Sequence, residues 1–162
     1  MRTFGCCLFL LMAAVCVSAQ TQAGITEITL EMNPGSSPSA RAFRIHLLDD
    51  GTGFYTGDAN VKLMGKYRGL LAREEFQRLA QFIEEHGFFK LKTVFPSSRG
   101  SSTFGVVAPS VITTVKKASN QTSIERPIGV KINDPEPPGK QLLDIENAIT
   151  SAAMQIKWEK IK

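Results

Sequence analysis

The chain has 162 residues, 43% of them apolar and 21% charged, with a formal net charge of +4. That apolar share excludes a disordered polyelectrolyte, and the length suits one ordinary domain better than two well-cored ones. Two Tyr and one Trp beside ten Phe offer no aromatic-rich platform for nucleic acid, and the mild positive charge does not call for a nucleic-acid partner.

The N-terminus has the layout of a secretory leader. Arg2 supplies the positive start, Phe4 to Val17 is uncharged and rich in Leu, Cys, Ala and Val, and Val17-Ser18-Ala19 places small residues where a signal peptidase cuts. A signal peptide over 1–19 is expected, then a flexible mature N-terminus over 20–24. A membrane anchor needs about 18–20 apolar residues; this run is shorter, and no second one follows. Cys6, Cys7 and Cys16 all lie inside the leader, and Val15 is a poor neighbour for a lipidated Cys16. The mature chain is therefore cysteine-free, without disulfides, cysteine nucleophiles or thiolate metal sites. The expected location is periplasmic or extracellular, with no transmembrane segment.

From Gly24 to Met32 the sequence alternates, with Ile28, Leu30 and Met32 on one face and Glu27, Thr29 and Glu31 on the other, as in a half-buried strand. Asn33–Ser39 is a turn-rich loop. Phe43, Ile45 and Leu47 define the next strand face, opposed by Arg44, His46 and Leu48. Asp49-Asp50-Gly51-Thr52-Gly53 signals a hairpin, since Asp-Gly tolerates positive φ, and Phe54-Tyr55-Thr56 is the return strand. After a turn at Gly57–Asn60, Val61 to Arg68 reads as a further strand of a meander, hence an antiparallel sheet.

Phe76, Leu79, Ala80 and Ile83 then recur at i, i+3, i+4, i+7, which predicts an amphipathic helix over 72–86. Glu74 and Glu75 favour its start, Glu74 is placed to pair with Arg78, and Gly87 suits a left-handed C-cap. Phe88, Phe89 and Leu91 form an apolar hinge. Pro96–Thr103 reads as an exposed loop. Val106-Val107 and Val111–Val115 read as strand, and Thr122–Ile132 as its partner, with Pro127 pointing to an edge or a bulge. Asn133–Gly139 is a stiff connector. Leu142, Ile145, Ile149, Ala152 and Ile156 form the stripe of a second helix over 140–158.

Strands, helix, strands, helix argue for a single α+β domain over 25–160: an antiparallel five- or six-stranded sheet with both helices packed on one face. The expected core is Ile28, Leu30, Phe43, Ile45, Leu47, Phe76, Leu79, Ile83, Val111, Val115, Leu142, Ile145 and Ile149.

Ile28-Thr29-Leu30-Glu31, the Pro-rich loop, Asp50-Gly51-Thr52-Gly53-Phe54-Tyr55-Thr56-Gly57, Asn60-Val61-Lys62, Gly65-Lys66-Tyr67-Arg68-Gly69, Glu74-Glu75-Phe76 and Phe88-Phe89-Lys90-Leu91 together resemble an uncharacterised family of exported bacterial domains, a domain of unknown function. The resemblance covers about 25–91. It implies a fold and a bacterial, exported setting, and is silent on chemistry. Members often carry a Cys-x-Gly-x-Cys-Pro-like loop before the second strand. Here that loop, 33–40, has no Cys, so no redox, disulfide or metal role carries over.

The residues favour no catalytic set. His46 and His86 are the two histidines, far apart in sequence and without metal-ligand spacing. Each is expected to be structural, His86 at a helix end where the dipole favours a cation. Gly100-Ser101-Ser102-Thr103-Phe104 lacks the second Gly of a nucleophile elbow, and no Ser-x-x-Lys occurs. Asp49, Asp50 and Asp58 lack EF-hand spacing, and Asn120-Gln121-Thr122 is a glycosylation sequon only in a eukaryotic secretory route. No catalytic, cofactor or metal residues are expected. Lys62, Lys66 and Arg68 form a basic strand face that could meet anionic lipid, wall polymer or an acidic protein patch; a plain solvated face, with Lys blocking edge association, is the simpler explanation. The expected function is a non-enzymatic exported module that binds an envelope component or another exported protein. The alternative is a small hydrolase pairing His46 or His86 with Asp49 or Asp50.

Overall fold

A computed structural model describes residues 24–91, 107–128 and 138–162. The expected leader over 1–19, the loop over 96–103 and residues 133–137 of the connector expected over 133–139 lie outside those residues; Pro138 and Gly139 belong instead to the second helix, which starts two residues earlier than expected. Seven strands form one fully antiparallel sheet: β1 (Ile25–Asn33), β2 (Ala42–Leu48), β3 (Thr52–Ala59), β4 (Gly65–Leu70), β5 (Ser110–Lys117), β6 (Asn120–Pro127) and β7 (Glu159–Lys160), in the order β6-β5-β1-β2-β3-β4-β7. Two helices, α1 (Arg73–Glu85) and α2 (Pro138–Met154), complete the α+β architecture. β1 to β4 is the expected meander. β5 and β6 add a hairpin on the far side of β1, and Pro127 closes β6 at the sheet edge, where a missing N–H does least harm.

Register converts the sequence alternation into two faces. Ile28 pairs with Leu47 and Val115, Leu30 with Ile45 and Thr113. These side chains point inward and meet Phe76, Leu79 and Ile83 of α1 and Leu142, Ile145 and Ile149 of α2 in one core. Both helices cover this inner face. Of the expected core, Phe43 alone is only partly buried, packed against the rest and stacked on Tyr55. Gly87 follows α1 with φ +66°, as its C-cap role requires. Phe88 is wholly buried, so the residues after the helix seal the core instead of skirting it.

Several boundaries differ from expectation. Among the described residues the sheet has seven strands, not five or six. The strand expected from Val61 begins at Gly65, because residues 61–63 fold over β3: a Cβ on Gly57 would lie 1.9 Å from the Leu63 carbonyl oxygen and 2.8 Å from Val61 Cγ2. Val107 is not strand; its backbone bonds the Asn33–Ser39 loop through Ser36 N–H to Val107 O at 2.9 Å. The second helix stops at Met154, short of Trp158. Gly53 and Gly69 face each other across β3 and β4 and leave a bare floor on the inner face. A Cβ on Gly69 would fall 2.3 Å from Ile156 Cγ2, and one on Gly53 would fall 3.2 Å from Trp158 Cη2. Ile156 and Trp158 seat on that floor and steer the chain into β7, which pairs with β4. Arg78 meets the Glu75 carboxylate, not that of Glu74, whose backbone oxygen it contacts instead.

Candidate functional site

Among the described residues no helix covers the outer face of the sheet. One cross-strand row runs Ser123, Thr114, Thr29, His46, Phe54, Arg68, Glu159, through successive pairings from β6 to β7. The neighbouring row runs Glu125, Ile112, Glu31, Arg44, Thr56, Lys66. The chemistry on this face follows from register, since residues opposite one another share a face.

The β5-β1-β2 portion carries two groups of paired charges. Lys116 Nζ donates to Glu27 Oε1 at 2.6 Å, His46 Nε2 lies 3.4 Å from Glu27 Oε2, and Arg44 donates twice to Glu31 Oε2, at 2.6 and 2.9 Å. A shallow depression of about 280 Å³ lies among these side chains and Gln121. The Lys116 hydrogen bond, with its charge and His46 adding to it, holds the Glu27 carboxyl below the usual glutamate range against the opposing effect of burial.

The β3–β4 portion differs. Arg68 lies over the Phe54 ring, its guanidinium carbon 6.0 Å from the centroid, within cation–π range. Lys66 sits one step along the same face. Lys62 does not share it: it projects, exposed, from the turn before β4. So β4 unites two of the three expected basic residues, and the third flanks them. Among the described residues no carboxylate lies within 4.0 Å of Lys62, Lys66 or Arg68. Asp50, at the nearby β2–β3 turn, is held below the usual aspartate range by the Thr52 N–H donated to Oδ1 at 2.7 Å, then by the Thr52 hydroxyl, with Arg68 contributing at longer range.

The two histidines do not converge. His86 Nδ1 lies 2.9 Å from the Phe82 carbonyl oxygen and its ring stacks on Phe82 at 3.7 Å, so its local bonds are made at the end of α1. His46 has a carboxylate partner, but it is Glu27, not Asp49 or Asp50, and the pair is about one-third exposed on an open face. Sequence reasoning missed this pair, since Thr29, not Glu27, is directly opposite His46, and the diagonal contact depends on register. Among the described residues no three His, Cys, Asp or Glu side chains cluster to hold a metal, and no helix is long and apolar enough to cross a membrane.

A family model described as "Domain of unknown function (DUF6438)" matches residues 28–149, and the chain belongs to that family. The match runs from β1 into α2, past the stretch where the sequence resemblance ended. No curated protein matches the chain.

Proposed function

We propose that this member of the DUF6438 family is a non-enzymatic binding module, exported to the bacterial envelope, that holds an anionic component there through Lys66 and Arg68, assisted by Lys62. The observation that carries this reading is the contrast along the outer face: charges on β5, β1 and β2 are mutually paired, whereas among the described residues the cations at β4 have no carboxylate within 4.0 Å, and Arg68 lies over an aromatic ring. Positive groups without local partners keep their charge available to a ligand and attract anions at long range. Export is supported by the leader-like Arg2–Ala19 segment and by the confinement of all cysteines to it. The hydrolase alternative has less support, because neither histidine meets the aspartates it needs and His46 lies on an open, wet surface where a general base gains little from burial.

The test is cosedimentation of the purified protein and of K62E/K66E/R68E with phosphatidylglycerol vesicles and with anionic wall polymer. The parent binds at low salt and is released as salt rises; the variant does not bind. Exposed substitutions shift stability by no more than about 0.5 kcal/mol, so the thermal midpoints stay close. Equal binding by parent and variant overturns the assignment of the basic face.

A further inference from the structure

The two-residue β7 leaves part of the β4 edge bare. Leu71 N–H donates to Gly51 O at 2.8 Å, so the odd-numbered residues of β4 bond back to β3; Ile161 N–H donates to Lys66 O at 2.9 Å, so the even-numbered residues face β7. Pairing with β7 ends at Arg68 opposite Glu159. Continuation of that ladder would set Lys157 opposite Leu70, but Lys157 turns its carbonyl beneath Gly69 instead. By this alternation the backbone N–H and C=O of Leu70 point past the end of β7, and no backbone partner for them occurs among the described residues. A groove of about 580 Å³ opens at this place, lined chiefly by Arg68, Leu70, Lys157, Glu159, Lys160 and Ile161. Three cations face one carboxylate. Leu70 is 72% exposed and Ile161 45%.

We propose that this groove takes a short, extended, acidic segment of another polypeptide, which adds to the sheet at Leu70. Unpaired strand edges recruit extended peptides through backbone hydrogen bonds. Here the Leu70 amide and carbonyl provide those bonds, Leu70 and Ile161 offer an apolar contact, and Arg68, Lys157 and Lys160 select carboxylates on the incoming segment. Glu159 sets the one position where the segment must not be acidic. A lipid headgroup would use the cations but leave the Leu70 backbone groups unused, so the edge geometry favours a peptide. The inference rests on the binding-module reading and adds a second contact, with a peptide, beside the outer face.

The probe is a short Glu-rich peptide with a central Val, labelled for fluorescence anisotropy and titrated with the full-length protein at low salt. Three comparisons are made: the peptide with Gln for every Glu, the peptide with alternate backbone amides methylated, and the variant K157E/K160E, which leaves Lys62, Lys66 and Arg68 in place. Each is expected to bind roughly tenfold more weakly than the parent pair. K157E/K160E should lose much less binding to phosphatidylglycerol vesicles than K62E/K66E/R68E does, which separates the groove from the outer face. Undiminished binding of the methylated or the Gln peptide overturns the proposal, as does vesicle binding with no peptide binding. That last result leaves the envelope-binding reading standing and removes only the peptide; binding to neither probe removes both.

Discussion

Arg126 and Glu146 meet on the inner side of the sheet, where β6 packs on α2; Arg126 Nε lies 3.1 and 3.2 Å from the two carboxylate oxygens, and the side chains are 17% and 6% exposed. Glu27, His46 and Lys116 meet on the outer side, each with about a third or more of its side chain in water. The bonds are of similar length and the residue types nearly the same. The difference is the cost of undoing them. Inside, a charge that loses its partner is stranded in a poor solvent; outside, water replaces the partner at little expense. An exposed charge is therefore not committed to the fold, and our proposal gives Lys66 and Arg68 that freedom, while a buried charge is committed to it.

Glu146→Ala should show the largest effect. It leaves Arg126 uncompensated against α2 and should cost about 3 kcal/mol in urea unfolding, the low end of the range for a broken buried pair because Arg126 keeps some contact with solvent. Replacing both partners, R126M/E146L, should restore most of that loss, since it removes the stranded charge as well as the bond. If the double variant is as unstable as the single one, the pair does more than offset its own desolvation.

Thr113 offers the neutral counterpart. It is wholly buried on β5, facing Leu30, and its hydroxyl has no hydrogen-bond partner among the described residues. Thr113→Val keeps the branched shape and removes the orphaned group. It should stabilise the protein by about 1 kcal/mol, read as a raised urea midpoint with unchanged slope. The matching change on the outer face, Thr114→Val, breaks the 2.7 Å contact with Ser123 but should shift stability by no more than about 0.5 kcal/mol, because both groups are exposed.

How much of this was legible follows from which interactions are local. Alternation in β1 and β2 and the i, i+3, i+7 spacing of Phe76, Leu79 and Ile83 report burial directly, so the inner face and α1 could be read residue by residue. Gly87 and the Asp50-Gly51 turn were legible because a positive φ is a property of the residue itself. β7 was not: two residues carry no period, and its place depends on Gly53 and Gly69 meeting across a hairpin to admit Ile156 and Trp158. Val61, Lys62 and Leu63 alternate as a strand does, yet Gly57 leaves room for that stretch to fold over β3. Arg126–Glu146 and His46–Glu27 join residues 20 and 19 positions apart in the chain, and only the register and the helix docking bring them together.

The smallest effect is the most diagnostic of the outer face. The Glu27 carboxyl is held below its ordinary value, chiefly by the Lys116 hydrogen bond. A carboxylate whose folded pKa is depressed contributes stability in full above its unfolded pKa, near 4.5. It loses that contribution as pH falls through the lower folded value. Glu27→Gln removes the titrating group while keeping the shape. Since the pair is about one-third exposed, the difference between parent and variant at neutral pH should be only about 0.5 kcal/mol. It should shrink towards zero as the pH is lowered below the folded value, and added salt should reduce it at neutral pH. A difference that grows on acidification, or one as large as that of Glu146→Ala, would mean that Glu27 is held as a buried charge is held, and the two sides of the sheet would then not differ in the way their exposure implies.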